Sequence, residues 1–241
     1  MPDATSPALA PHISSEFDEK LTQAHDRVLQ MGERARRQLD DAIECLRTGS
    51  DSLADQILRH ELAINALELS IDALVEQIIA RRQPAASDLR LLITIFRVTT
   101  DLERIGDEAK KIALQARRIH AEGLRRYPRT QGVQRMHELA RRMLRDALGK
   151  LERLDVDGAD AVVRRDAELN EAYRAVLREL ASFMIEDPRT IGACLDMTVI
   201  VKSLERVGDH AKNIAGHVIY ARKGKDVRHA SAEEVARAVR S

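Results

Sequence analysis

Tryptophan is absent from this 241-residue chain, which carries only three tyrosines and three phenylalanines. Single-stranded nucleic acid is gripped largely by stacking bases on aromatic rings, so the chain is a poor candidate for that work. A net charge of one sign is missing too: lysine plus arginine and aspartate plus glutamate number 39 each, leaving no overall field to draw the chain to nucleic acid or an acidic membrane surface. Only two cysteines are present, Cys45 and Cys194. They form no disulfide framework, which suits a reducing compartment, and both read as small core residues. The longest apolar runs, such as Leu91-Leu92-Ile93 and Thr198-Val199-Ile200-Val201, fall far short of the roughly 20 residues needed to span a bilayer. The beginning, Met1-Pro2-Asp3-Ala4-Thr5-Ser6-Pro7, has neither a basic start nor an apolar stretch, so a secretory signal is not expected. Neither a P-loop nor a dinucleotide-binding glycine motif occurs. No Glu-x-x-His pair stands ready for a di-metal oxidase. An enzyme is therefore not expected.

What is abundant is the material of long amphipathic helices: 44% hydrophobic and 32% charged residues, with glycine and proline scarce. Those helices come in two matched sets. MGERARRQLDDAIECL, Met31 to Leu46, aligns with MHELARRMLRDALGKL, Met136 to Leu151, at nine identities in sixteen. The same offset takes Glu61 and Asn65 to Asp166 and Asn170, and after a small length change Leu102-Glu103-Arg104-Ile105-Gly106-Asp107 meets Leu204-Glu205-Arg206-Val207-Gly208-Asp209. The chain is an internal duplication.

Each copy reads as three helices. In the first, Phe17, Leu21, Ala24, Val28, Met31 and Ala35 make one stripe. Gly49-Ser50-Asp51 breaks it, and Ser52 is the expected cap of the next helix, where Ile57, Ile64, Leu67, Ile71, Leu74 and Ile78 continue. Beyond Pro84 a third stripe runs unbroken from Leu91 through Ile95, Val98, Leu102, Ile105, Ala109, Ile112 and Ala116 to Ile119, and it recurs from Ala193 to Ala221. The expected fold is all-α, two tandem three-helix bundles with six main helices. Residues 14–122 form the first repeat and 128–222 the second, with a disordered arm at 1–13 and a tail at 223–241 whose Ser231-Ala232-Glu233-Glu234 starts one short helix. His60 is expected to be a partly buried core residue. His210 and His217 are expected on the surface, because Glu108 and Gln115 stand at the equivalent places.

Glu103 and Asp107 are four residues apart and share a helix face. Between them Gly106, which costs about 1 kcal/mol relative to alanine in a helix interior, signals close approach by another helix, a ligand or a cation. Counting from Pro84, Glu61 and Asn65 lie 23 and 19 residues before, and Asp107 and Glu103 lie 23 and 19 after. An antiparallel pair brings the four level. About Pro188, Asp166 and Asn170 lie 22 and 18 residues before, Asp209 and Glu205 21 and 17 after. Each copy would gather three carboxylates and an amide, a set suited to hard or intermediate divalent ions and iron. The plainer alternative is a solvated face of ordinary salt bridges, with Glu103 paired to Arg104 or to an arginine across the bundle.

These motifs carry a resemblance. Pro84-Ala-Ala-Ser-Asp88-Leu89-Arg90, then Asp101-Leu-Glu-Arg-Ile-Gly-Asp107, and the repeat Leu204-Glu-Arg-Val-Gly-Asp-His-Ala-Lys-Asn-Ile-Ala215 resemble the PhoU family of phosphate-transport accessory proteins. The match covers about residues 12–222, and Ile64-Asn65-Ala66-Leu67-Glu68 with Ile71-Asp72 is similar to that family's second helix. The resemblance implies a cytoplasmic homodimer working beside the phosphate ABC transporter, with its ATPase subunit, and a phosphate sensor histidine kinase. Such a protein represses the phosphate-starvation response when phosphate is plentiful. It also implies metal, whether Fe, Zn, Mn, Mg or Ni, at Glu61, Asn65, Glu103 and Asp107 and at Asp166, Asn170, Glu205 and Asp209. The two asparagines depart from the family's strictly acidic pattern. A purely structural helical adaptor without metal is the rival reading.

Overall fold

In the computed structural model the described residues are 15–82, 84–121, 131–228 and 230–240. They form seven helices: α1 Ser15–Thr48, α2 Asp51–Arg82, α3 Ala86–Ala121, α4 Gln131–Arg153, α5 Ala159–Glu186, α6 Ile191–Lys223 and α7 Ala232–Arg240. A single 3-10 turn, Pro188–Thr190, leads into α6. No described residue is in a strand. The expected arm at 1–13 and the junction around residues 122–128 lie outside the described residues.

Local chemistry sets the helix ends. Gly49 closes α1 at φ +68°, and a Cβ there would sit 2.5 Å from the His120 ring, so both conformation and space require glycine. The cap of α2 is Ser50, not Ser52: the Leu53 amide donates to Ser50 Oγ at 3.3 Å, which places Ser52 inside the first turn. Gly224 ends α6 in the left-handed region. Ser231 and Glu234 form a reciprocal capping box ahead of α7, the Ser231 amide donating to Glu234 Oε2 at 2.7 Å and the Glu234 amide to Ser231 Oγ at 3.3 Å.

The two repeats are not separate bodies. α1 and α2 pack on α3, α4 and α5 pack on α6, and α3 lies against α6 in the most extensive helix pairing among the described residues. That central pair is antiparallel: the Thr94 hydroxyl donates to His217 O at 3.1 Å near one end, and Ser203 Oγ donates to Glu108 Oε2 at 2.8 Å past the middle. The stripes of α3 and α6 are buried along their whole length, and all six long helices contribute to one continuous hydrophobic cluster.

Two histidine expectations are overturned. His60 is exposed, because the core-side slot between Ile57 and Ile64 belongs to its neighbour Glu61, itself only 2% exposed. His210 and His217 are buried, since the α6 face that carries them packs against α3.

Candidate cation seams

In the first repeat α2 and α3 bring Glu61, Glu103 and Asp107 together, with one carboxylate oxygen from each within 4.8 Å of the others. Antiparallel pairing across Pro84 sets their common height, and Gly106 allows the helices to close. A Cβ at Gly106 would lie 3.1 Å from Glu61 Oε2 and 3.2 Å from Ile64 Cδ1.

A third helix supports the seam. Gln38 of α1, fully buried, donates from Nε2 to Glu61 Oε2 at 3.0 Å and to the Gly106 carbonyl at 3.1 Å. Its own Oε1 is buried with no hydrogen-bond partner among the described residues. Asn65, with its amide oriented to satisfy the hydrogen-bond network, donates to Glu61 Oε1 at 3.1 Å and to the Glu61 carbonyl at 3.3 Å. Asn65 thus buttresses the carboxylate.

Crowding of like charge follows. Burial pushes the Glu61 carboxyl up; the Gln38 hydrogen bond opposes this, and the nearby Asp107 charge adds to it. Burial and then Asp107 raise Glu103, and burial followed by Glu103 and Asp72 raises Glu68 on the same face. Two cations oppose this: Lys110, whose Nζ reaches Asp107 Oδ1 at 3.5 Å, and Arg104, whose charge acts on Glu103 and Glu68.

The second seam is built differently. Lys212 Nζ donates to Asp166 Oδ2 at 2.8 Å and to Asp209 Oδ1 at 3.4 Å, tying α5 to α6. Lys202 Nζ donates to Glu205 Oε2 at 2.5 Å while lying 5.4 Å from the Tyr173 ring centre. Asn170, half-buried, is one turn beyond Asp166. Close approach at Gly208 is by an apolar group: a Cβ there would sit 2.2 Å from Leu169 Cδ2 and 3.5 Å from Met143. Among the described residues, three potential metal-ligating side chains converge only at Glu61, Glu103 and Asp107.

Gln38 was not among the expected seam residues, although the duplication flags it: this glutamine aligns with Met143 where both copies otherwise carry core residues. Nor was a buried cluster between the repeats expected. Asp101 accepts hydrogen bonds from His210 Nδ1 at 2.8 Å, His217 Nε2 at 3.1 Å and Asn213 Nδ2 at 3.3 Å.

Replacing Glu61 with glutamine is expected to stabilise the chelator-treated protein at neutral pH. A carboxyl raised in the fold above its unfolded value of about 4.3 imposes a penalty that is absent at low pH and grows as pH climbs through that window. Thermal melts of both forms should therefore diverge at pH 7 and converge near pH 4. An equal gap at both pH values rejects the charge explanation.

Known proteins match this architecture and these motifs. The PhoU domain model matches residues 28–116 and again 133–218. The phosphate-specific transport system accessory protein PhoU homolog of Pseudomonas putida is 43% identical over 223 residues, covering 92% of this chain and 86% of that protein. The phosphate-specific transport system accessory protein PhoU of Escherichia coli K12 is 34% identical over 224 residues, 93% of this chain and 92% of that one. The crystal structure of PhoU from Pseudomonas aeruginosa superposes with a TM-score of 0.83 at 40% identity, covering 87% of this chain and all of that one (100%). The phosphate transport system regulatory protein PhoU from Streptococcus pneumoniae gives 0.80 at 25% identity, covering 88% and 99%.

Proposed function

This chain belongs to the PhoU family, and on that premise we propose that it regulates phosphate uptake and phosphate-starvation signalling as a cytoplasmic homodimer. It represses the starvation response when phosphate is plentiful by engaging the phosphate ABC transporter and its sensor kinase. The observation that carries this reading is the match of the family model to both repeats, supported by relatives named as accessory proteins of the phosphate transport system. The family is one of accessory regulators and not of enzymes. No described helix is long and apolar enough to cross a membrane.

A divalent cation fits the first seam. Glu61, Glu103 and Asp107 offer oxygen donors at one height, burial and the Asp107 charge raise the Glu61 and Glu103 carboxyls despite Lys110 and Arg104, and the buried Gln38 holds Glu61 in place. When bound there, a divalent cation would cross-link α2 to α3 and keep coordination positions open for a partner's carboxylate or for phosphate. The donor set of the second seam is already occupied by lysines, so in that repeat the adaptor reading has specific support.

Deleting the gene should switch on phosphate-scavenging genes in phosphate-rich medium, measured by transcript abundance. Silence of those genes rejects the regulator. Complementation with a Glu103→Ala, Asp107→Ala chain should leave the genes on. Restored repression by that chain, folded, rejects the seam as part of the mechanism while leaving the regulator intact.

A further inference from the structure

The two seams inherit nearly the same parts from the duplication, yet they are neutralised differently. Lys110 and Lys212 each stand three residues beyond the seam aspartate. Lys110 pairs with Asp107 alone, at 3.5 Å, whereas Lys212 spans two helices to hold Asp166 at 2.8 Å and Asp209 at 3.4 Å. The difference upstream is on the first helix of each repeat, where Gln38 and Met143 align and both are fully buried.

A methionine offers no proton to a carboxylate, whereas a glutamine amide does. Gln38 anchors one oxygen of Glu61 from the α1 side, and Asn65 holds the other. Glu61 is thereby fixed beside Glu103 and Asp107 without an ammonium of its own. With Met143 in the corresponding place, the shorter Asp166 takes its hydrogen bond from Lys212. We propose that Gln38 and Met143 decide which cation each seam accepts: Gln38 keeps the first seam open to an external divalent ion, and Lys212 closes the second.

The physical basis is competition for the same oxygens. In the first seam Lys110 bonds Asp107 only, at 3.5 Å, and Arg104 acts on Glu103 without a direct bond; in the second, Lys212 bridges Asp166 and Asp209 across two helices while Lys202 bonds Glu205. A divalent ion entering the second seam must first displace Lys212 from a half-buried pair whose ammonium is already bonded. In the first seam nothing comparable has to leave. Gln38 acts as a positioning residue, and orienting a ligand from behind in this way is typically worth about ten- to a hundredfold in metal affinity.

The inference rests on the reading that the first seam holds a cation, and manganese binding to the chelator-treated full chain tests the two separately. Calorimetric titration with Mn2+ should give one equivalent per chain, abolished by Glu61→Gln. Lys212→Met should raise the count to two, and Lys212→Arg should keep it at one. Gln38→Met should weaken the single site by about tenfold or more, with circular dichroism confirming the helices; Gln38→Leu serves if that variant does not fold. Two equivalents in the native chain, one equivalent still in Lys212→Met, or unchanged affinity in the folded Gln38 variant overturns the proposal. No binding in the native chain but one equivalent in Lys212→Met removes the first-seam reading while upholding the role of Lys212.

Discussion

Replacing Asp101 with alanine is expected to destabilise the protein by about 3 kcal/mol, since hydrogen bonds to a charged group are each worth roughly 1.5–3 kcal/mol and buried donors left unpaired cost about 1–3. For a chain of this size that corresponds to a fall in Tm of about 6–12 °C. Asp101 lies in the α3–α6 pairing and accepts from His210, His217 and Asn213, so its loss strands donors of α6 inside the molecule. Burial by itself would push the Asp101 carboxyl up, but the hydrogen bonds from the two histidines hold it below the usual carboxylate value. A depressed carboxyl contributes stability that is fully present above its unfolded pKa, about 3.9, and is lost as pH falls through the folded value. Urea unfolding should therefore show the full penalty at pH 7 and a reduced one near pH 3.5. A penalty of equal size at both pH values would assign the effect to packing and not to the carboxylate charge.

Nothing in the apolar periodicity of α3 or α6 points to that cluster. The stripe from Leu91 to Ile119 and its copy from Ala193 to Ala221 were legible because each helix buries apolar residues at alternating three- and four-residue spacing, and every one of them is buried. The second buried face of α3, with Thr94, Asp101 and Glu108, is polar and reads as solvated. It is buried because α6 presents His217, His210 and Ser203 to it in antiparallel order. Apolar periodicity reports what a helix buries within its own repeat and is silent about a polar contact between repeats. The surface placement of His210 and His217, drawn from Glu108 and Gln115 at the equivalent places, failed because Glu108 is itself buried in the α3–α6 contact.

The seam was legible in part for a geometric reason. Residues equidistant from the turn at Pro84 must lie level on an antiparallel pair, and the oxygens of Glu61 and Asp107 meet accordingly. What spacing cannot reveal is which counter-charge a carboxylate selects. Lys110 and Lys212 are equivalent in sequence, and their different reach depends on Gln38 and Met143, more than sixty residues away along the chain. Asn65 and Asn170 stand in the sequence as ligand candidates that depart from an acidic pattern, whereas in the fold Asn65 serves as a donor to Glu61.

Leu102→Ala is expected to cost about 2–5 kcal/mol through loss of buried area and the cavity left behind. Leu102 is fully buried at the middle of α3, the helix on which α1, α2 and α6 all pack. The same substitution at Leu204, its counterpart on α6, should cost a similar amount, while Leu62→Ala, at a side 70% exposed, should stay within about 0.5 kcal/mol. The shape of the transition is more informative than its midpoint. Because one apolar cluster runs through both repeats, weakening either central helix should lower a single calorimetric transition without splitting it. Two resolved transitions in Leu102→Ala, one of them at the native temperature, would show that the second repeat stands without the first. The α3–α6 pairing would then be a docking surface between independent units. Retention of one transition makes that pairing part of the core, and a change at either seam then acts on both halves of the molecule together.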